Sequence, residues 1–156
     1  MPTWSKRRHG LAAVMIGALW LCSGARADGA PAPEQQILGT WLTQDKDGMV
    51  QIYLAASGKL EGRIVDDSGG PEELDDKNPD PVLRTRPLNG AVILQGFRYT
   101  GDGRWTDGSI YDPDNGKTYK CSMELKGADT LSVRGYIGAP LFGRSVLWTR
   151  VKPRPR

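Results

Sequence analysis

The sequence predicts an all-β protein: a meander of about eight antiparallel strands closing into a small barrel, with one long ordered loop. Three observations predict it. Apolar side chains recur at every second position in segment after segment, most clearly at Tyr119, Cys121, Met123 and Leu125 and again at Leu131, Val133, Gly135 and Ile137. That is the period of a strand with one face buried. Short turn clusters such as Asp45-Lys46-Asp47-Gly48 and Asp112-Pro113-Asp114-Asn115-Gly116 separate the segments. The two ends of the chain also carry a closing device, Trp41 on the first strand and Arg150 on the last. In a closed meander these strands are neighbours, and closure removes the unpaired edges of an open sheet.

The chain begins with an address. Lys6, Arg7 and Arg8 precede an uncharged apolar run from Leu11 to Leu21, and Ala25-Arg26-Ala27 puts small residues where a signal peptidase reads. This is a secretory signal peptide, with cleavage expected after Ala27. The run is about half of the ~20 residues a membrane span needs, so the mature chain is expected to carry no transmembrane anchor. Arg7-Arg8 loosely resembles a twin-arginine signal but lacks the aromatic that usually follows, and Leu21 before Cys22 is too large for a lipidation site. The expected location is the periplasm or the exterior. The expected division is residues 1–27 leader, 28–38 tether with a short helical turn, 39–151 barrel, and 152–156 a basic disordered tail.

Removing the leader reverses the charge argument. The chain holds 21 basic and 18 acidic residues, but four of the basic ones, Lys6, Arg7, Arg8 and Arg26, belong to the leader. The basic pI leaves with them, and with it the support for nucleic-acid binding. The one histidine, His9, leaves too. A chain without histidine has no Ser-His-Asp or Cys-His catalysis and no ordinary zinc site. Cys121 remains as a lone thiol, so no internal disulfide forms despite the oxidising compartment. No enzyme activity, cofactor or metal is expected.

Taken in order, Glu34 to Leu38 can form one helical turn. Gly39 to Thr43 is a first strand, Met49 to Ala55 a second and Lys59 to Val65 a third, each ending in turn chemistry such as Asp47-Gly48 or Ser57-Gly58. Asp66 to Asn89 is too polar and too rich in proline for a strand or a helix interior, and is the long loop. Ala91 to Tyr99, Arg104 to Tyr111, Tyr119 to Lys126, Leu131 to Ile137 and Gly143 to Val151 complete the set. Asn115-Gly116 supplies left-handed positions for the hairpin between the sixth and the preceding strand.

Within the long loop, Asp75, Asp76 and Asp80 could bind calcium or act as a carboxylate pair. Lys77 in their midst and the missing ladder of spaced acids argue against a calcium site, and adjacency in sequence does not place carboxylates across a cleft. The reading preferred is a structural loop, with Asp75, Asp76, Lys77 and Asn78 in it, fastened by caps and by salt bridges from its aspartates to Arg84, Arg86 or Arg134. Arg63, Arg134 and Arg144 either line an opening that takes an anion or form an exposed strand face. The apolar connection Ile137 to Phe142 either plugs the barrel's end or meets a ligand, partner or lipid. Cys121 reads as buried and inert.

Arg150 can stack on the Trp41 ring and bond the carbonyls of the turn before it. This arrangement is similar to the Gly-x-Trp and C-terminal arginine of lipocalin-like (calycin) barrels. A wider set of motifs (Gly39-Thr40-Trp41, Gly62-Arg63-Ile64-Val65, Asp75 to Pro81, Arg86-Pro87-Leu88, Gly96-Phe97, Ile110 to Pro113, Gly116 to Tyr119, Val133 to Tyr136, Gly143-Arg144 and Trp148-Thr149-Arg150) resembles the secreted bacterial family catalogued as domain of unknown function 2147. The resemblance covers essentially the whole mature chain. It implies an exported lipocalin-like barrel with no established catalytic residues and, by shape, a small hydrophobic ligand. Many members carry cysteines near the positions of Ala55, Glu61 and Asn89, so no thiol role is transferred to this chain.

The inward positions, Ile52, Leu94, Met123 and Trp148 among them, suit either a filled interior or one holding a small ligand. The leading expectation is non-enzymatic binding of a small apolar or amphipathic molecule, with Trp41, Phe97, Tyr119, Tyr136, Leu141 and Phe142 meeting it. The alternative is a structural or protein-interaction module of the envelope with a solid core, working through residues 75–88.

Overall fold

A computed structural model describes residues 31–65 and 69–152. The leader, and the tail beyond Lys152, lie outside the described residues. Eight strands follow in order: β1 (Gly39–Leu42), β2 (Met49–Leu54), β3 (Leu60–Val65), β4 (Val92–Gly101), β5 (Arg104–Asp112), β6 (Lys117–Leu125), β7 (Thr130–Tyr136) and β8 (Gly143–Arg150). Each pairs antiparallel with the next, and β1 pairs with β8 to close the barrel. Short 3₁₀ turns occupy Pro33–Gln35, Pro81–Thr85 and Pro140–Phe142, each with proline at its start, where the missing N–H costs nothing. Among the described residues no helix is long and apolar enough to cross a membrane.

Closure is made where Trp41 pairs with Arg150. The guanidinium lies 4.2 Å from the centre of the Trp41 ring. It donates to the carbonyls of Leu38 at 2.7 Å, Gln36 at 2.6 Å and Ala128 at 2.8 Å. The indole N–H of Trp41 donates to the carbonyl of Ile37 at 2.9 Å. One arginine thus ties the N-terminal turn, β1, β8 and the β6–β7 turn together, and Ile37, fully buried, stoppers this end.

Above that stopper the interior is filled by Ile52, Leu60, Leu94, Phe97, Trp105, Met123, Leu131 and Trp148. Two inward glycines make room. A Cβ on Gly108 would strike the Phe97 ring, and one on Gly62 would meet Leu94 at 2.7 Å. A bulge between Trp105 and Gly108, with Asp107 at φ 63°, lets both Trp105 and Ile110 face inward although they are five positions apart. Towards the opposite end the filling thins, and Ile64, Ile110, Tyr119 and Val146 are only half-buried.

Candidate functional site

The thinly filled end is framed by the β1–β2, β3–β4, β5–β6 and β7–β8 connections. They enclose an open cavity of about 1570 Å³, larger than the ~300–1000 Å³ of a usual small-molecule pocket because its mouth is wide. The floor is Trp148, Val133 and Val50, and the walls include Ile64, Ile93, Ile110 and Val146. Much of the space comes from β7, where Leu131, Val133 and Gly135 follow one another on the inner face. A Cβ built on Gly135 would make only ordinary contacts, 3.7 Å to Ile110 and to Tyr119, so the empty volume there is not forced by crowding.

Polar groups make up about half of the cavity's lining, most of them around its mouth. The Tyr119 hydroxyl accepts from Asn115 Nδ2 at 3.2 Å. Arg144 pairs with Gly135 in the β7–β8 register and lies two residues before Val146, so it shares the inner face. Its guanidinium makes no hydrogen bond or ion pair among the described residues. Asp45, Lys46, Asp47, Glu72, Glu73, Asp112 and Asp114 stand around the rim.

The β3–β4 loop is held beside this mouth by a polar centre. Asp75 is buried, and its carboxylate accepts from the Tyr111 hydroxyl at 2.5 Å, Asn78 Nδ2 at 2.7 Å, and Arg86 Nε and Nη2 at 3.1 and 2.7 Å. Burial pushes this carboxyl up, but the bonds from Tyr111, Asn78 and Arg86 outweigh it and the net direction is down. Burial and the hydrogen bond to Asp75 push the Tyr111 hydroxyl up to about 12. Arg84 donates to the Asn78 carbonyl at 2.8 Å, and Asp80 accepts from the Val82 N–H at 3.0 Å, opening the 3₁₀ turn. The Lys77 carbonyl packs on the backbone of Gly116, where a Cβ would collide with it. Asp76 and the Lys77 side chain face solvent.

Several sequence expectations are corrected by this arrangement. Of the six side chains expected to meet a ligand, Tyr119, Tyr136, Leu141 and Phe142 line the cavity, whereas Trp41 and Phe97 do not. Trp41 is sealed under Arg150, and Phe97 fills the gap over Gly108. Arg134 does not reach the Asp75 loop. It lies on the outer face of β7 and bonds the Pro140 carbonyl at 2.6 and 2.9 Å and Ser145 Oγ at 2.9 Å, pinning the β7–β8 connection. Arg63 is also outward, on Gln51 and over the Tyr53 ring, so of the three arginines only Arg144 lines the opening. The apolar connection is a lip and not a plug: Ile137, Leu141 and Phe142 are 70, 82 and 74 % exposed. Cys121 lies in the core, and burial pushes its thiol up to about 12.

A family model described as "Uncharacterized protein conserved in bacteria (DUF2147)" matches residues 39–150, which is the closed barrel from first strand to last. Among solved structures, the chain is similar to one titled "Protein HP1028 from the human pathogen Helicobacter pylori belongs to the lipocalin family". The TM-score is 0.67 at 24 % identity, over 74 % of this chain and 82 % of that one. This likeness shows a shared fold. No curated protein matches.

Proposed function

The chain belongs to the bacterial family of uncharacterized proteins DUF2147, and from that premise we propose that it is an exported, non-catalytic protein that holds one small apolar or amphipathic molecule in the upper half of its barrel. The observation that carries this reading is the unfilled space above Val133 and Trp148, with apolar walls and an open mouth. Eight-stranded barrels either fill their interior with side chains or keep room for one ligand, as lipocalins do, and this one does the first below and the second above. The envelope-module alternative assumed a solid core, and the open space at this end supports the ligand-binding reading over it. Export rests on the three-part leader and a periplasmic or secreted location follows from it.

The test is occlusion. Gly135→Leu adds a side chain where the nearest atoms are at ordinary contact distance and the backbone needs no left-handed conformation. N-phenylnaphthylamine, a neutral apolar dye, should brighten on the wild-type protein and stay dark with the variant, while the thermal midpoint changes little. Equal dye binding by both proteins would remove the cavity from the account. Native mass spectrometry of protein purified from its own host should show a co-purified small molecule on the wild type and none on the variant.

A further inference from the structure

We propose that the cavity's ligand is a single-chain amphiphile with an anionic oxygen headgroup, a carboxylate or a phosphate, and that the headgroup pairs with Arg144. This rests on the reading that the barrel binds a small molecule, and adds which class of molecule and which side chain selects it.

Three observations meet at this residue. Arg144 stands on the inner face of β8, opposite Gly135, so no facing side chain covers it. The next two inward residues on β8 are apolar, Val146 and then Trp148 below it. Its guanidinium also has no partner among the described residues, unlike the other arginines near the mouth: Arg86 is held by Asp75, Arg84 by the Asn78 carbonyl and Arg134 by the Pro140 carbonyl. A guanidinium fork left unpaired at the top of an apolar shaft matches a carboxylate or phosphate oxygen pair. The four residue steps from Arg144 to Trp148 span about 13 Å of strand, or about 10 Å of depth along a barrel axis with the usual strand tilt, beneath the head. The lip residues Leu141 and Phe142 stand beside the same opening.

The acidic rim restricts this choice without reversing it. Asp45, Asp47, Glu72, Glu73, Asp112 and Asp114 lie on the connections and none forms an ion pair with Arg144. They repel polyanions and anionic surfaces, whereas a single anion on a flexible chain passes the rim and gains a partner that no protein group supplies. The head therefore carries one anionic group and the tail is unbranched enough to follow the shaft.

Displacement of N-phenylnaphthylamine tests this with four dodecyl compounds below their micelle concentrations: laurate, dodecyl phosphate, dodecanol and dodecyltrimethylammonium. On the wild-type protein one or both oxyanions should compete at least about tenfold better than dodecanol, the size of a charge-assisted hydrogen bond at a partly exposed site. The tighter oxyanion identifies the head. Arg144→Met, at an exposed side chain that bonds nothing, should keep the wild-type thermal midpoint and bind laurate, dodecyl phosphate and dodecanol alike. Arg144→Lys, which keeps the charge without the fork, should retain part of the preference. Dye binding with no oxyanion preference, or with the trimethylammonium tightest, or with a preference unchanged in Arg144→Met, overturns this inference and leaves the binding function standing. Failure of the wild type to bind dye or any dodecyl compound overturns both.

Discussion

Arg150→Met removes the guanidinium fork while keeping a stem of similar length over the Trp41 ring. Three hydrogen bonds go, to the carbonyls of Leu38, Gln36 and Ala128. Gln36 and Ala128 are exposed, so water replaces the arginine there, and each loss costs about 0.5–1 kcal/mol. Leu38 is half-buried, and its carbonyl rehydrates poorly, so about 1–2 kcal/mol is expected at that point. Loss of the stacked cation adds about 1 kcal/mol, since the side chain is 21 % exposed and the ring beneath it fully buried. The total is about 3–5 kcal/mol. For a domain of this size each kcal/mol moves the thermal midpoint by roughly 3–5 °C, so a drop of about 10–25 °C is expected. Circular dichroism melting, with urea unfolding to confirm the free energy, measures it. Arg150→Lys should recover less than half, because a single ammonium cannot reach three carbonyls that diverge around the ring. A midpoint for Arg150→Met within about 3 °C of wild type would refute the idea that one residue closes the barrel.

Asp75→Asn should cost about 2–4 kcal/mol, because it leaves the half-buried Arg86 unpaired and puts an amide donor against Asn78. The Asp75 carboxyl is held below 3.8, so its contribution is present above that pH and is lost as pH falls through the folded value. Urea midpoints measured down to acid pH should show this fall in the wild type and a shallower one in the variant. At the other extreme, Tyr111 is raised to about 12, so its contribution is complete below 10.0 and lost as pH rises towards 12. Raising pH from 9 to 11 should lower the wild-type urea midpoint by more than it lowers that of Tyr111→Phe. Cys121, fully buried with its thiol pushed up, should resist alkylation in the native protein and react on unfolding in urea, read from the Cys121 peptide by mass spectrometry. Fast native labelling would show that the core opens.

The architecture was legible because the strands alternate cleanly where they are least disturbed. In β6 and β7 the inward set Cys121, Met123, Leu131 and Val133 pairs across an unbroken register, and the turns around them carry glycine where positive φ is needed, at Gly116, Gly127 and Gly138. The bulge at Asp107 was not legible, since strict alternation would turn either Trp105 or Ile110 outward, and only the register shift reconciles them. Alternation says which face a residue takes and nothing of its height along the barrel axis. That is why Trp41 and Phe97, large and inward, read as ligand contacts while they sit in the sealed half. It is also why Arg144 could not be separated from Arg63 and Arg134 until the register placed it opposite Gly135. Asp75 and Asp80 bond within the loop while Asp76 faces solvent, and the partner of Asp75 needed the fold: Tyr111 is brought beside it from another hairpin.

The barrel's two ends do different work because side-chain volume is graded along its strands. On β7 the inner face runs Leu131, Val133, Gly135, and on β6 it runs Met123, Cys121, Tyr119, whose hydroxyl is drawn aside to Asn115. On β8 it runs Trp148, Val146, Arg144, ending in a charge that apolar neighbours cannot satisfy. Tight filling below supplies the stability that hollow packing above cannot, because unfilled volume forfeits both transfer energy and contacts. A cavity of this size persists only if the closed end and the pinned loops hold the strands apart. Arg150 does so at one end, and the Asp75 centre and Arg134 do so around the mouth. The residues that keep the cavity open are therefore not the residues proposed to touch a ligand.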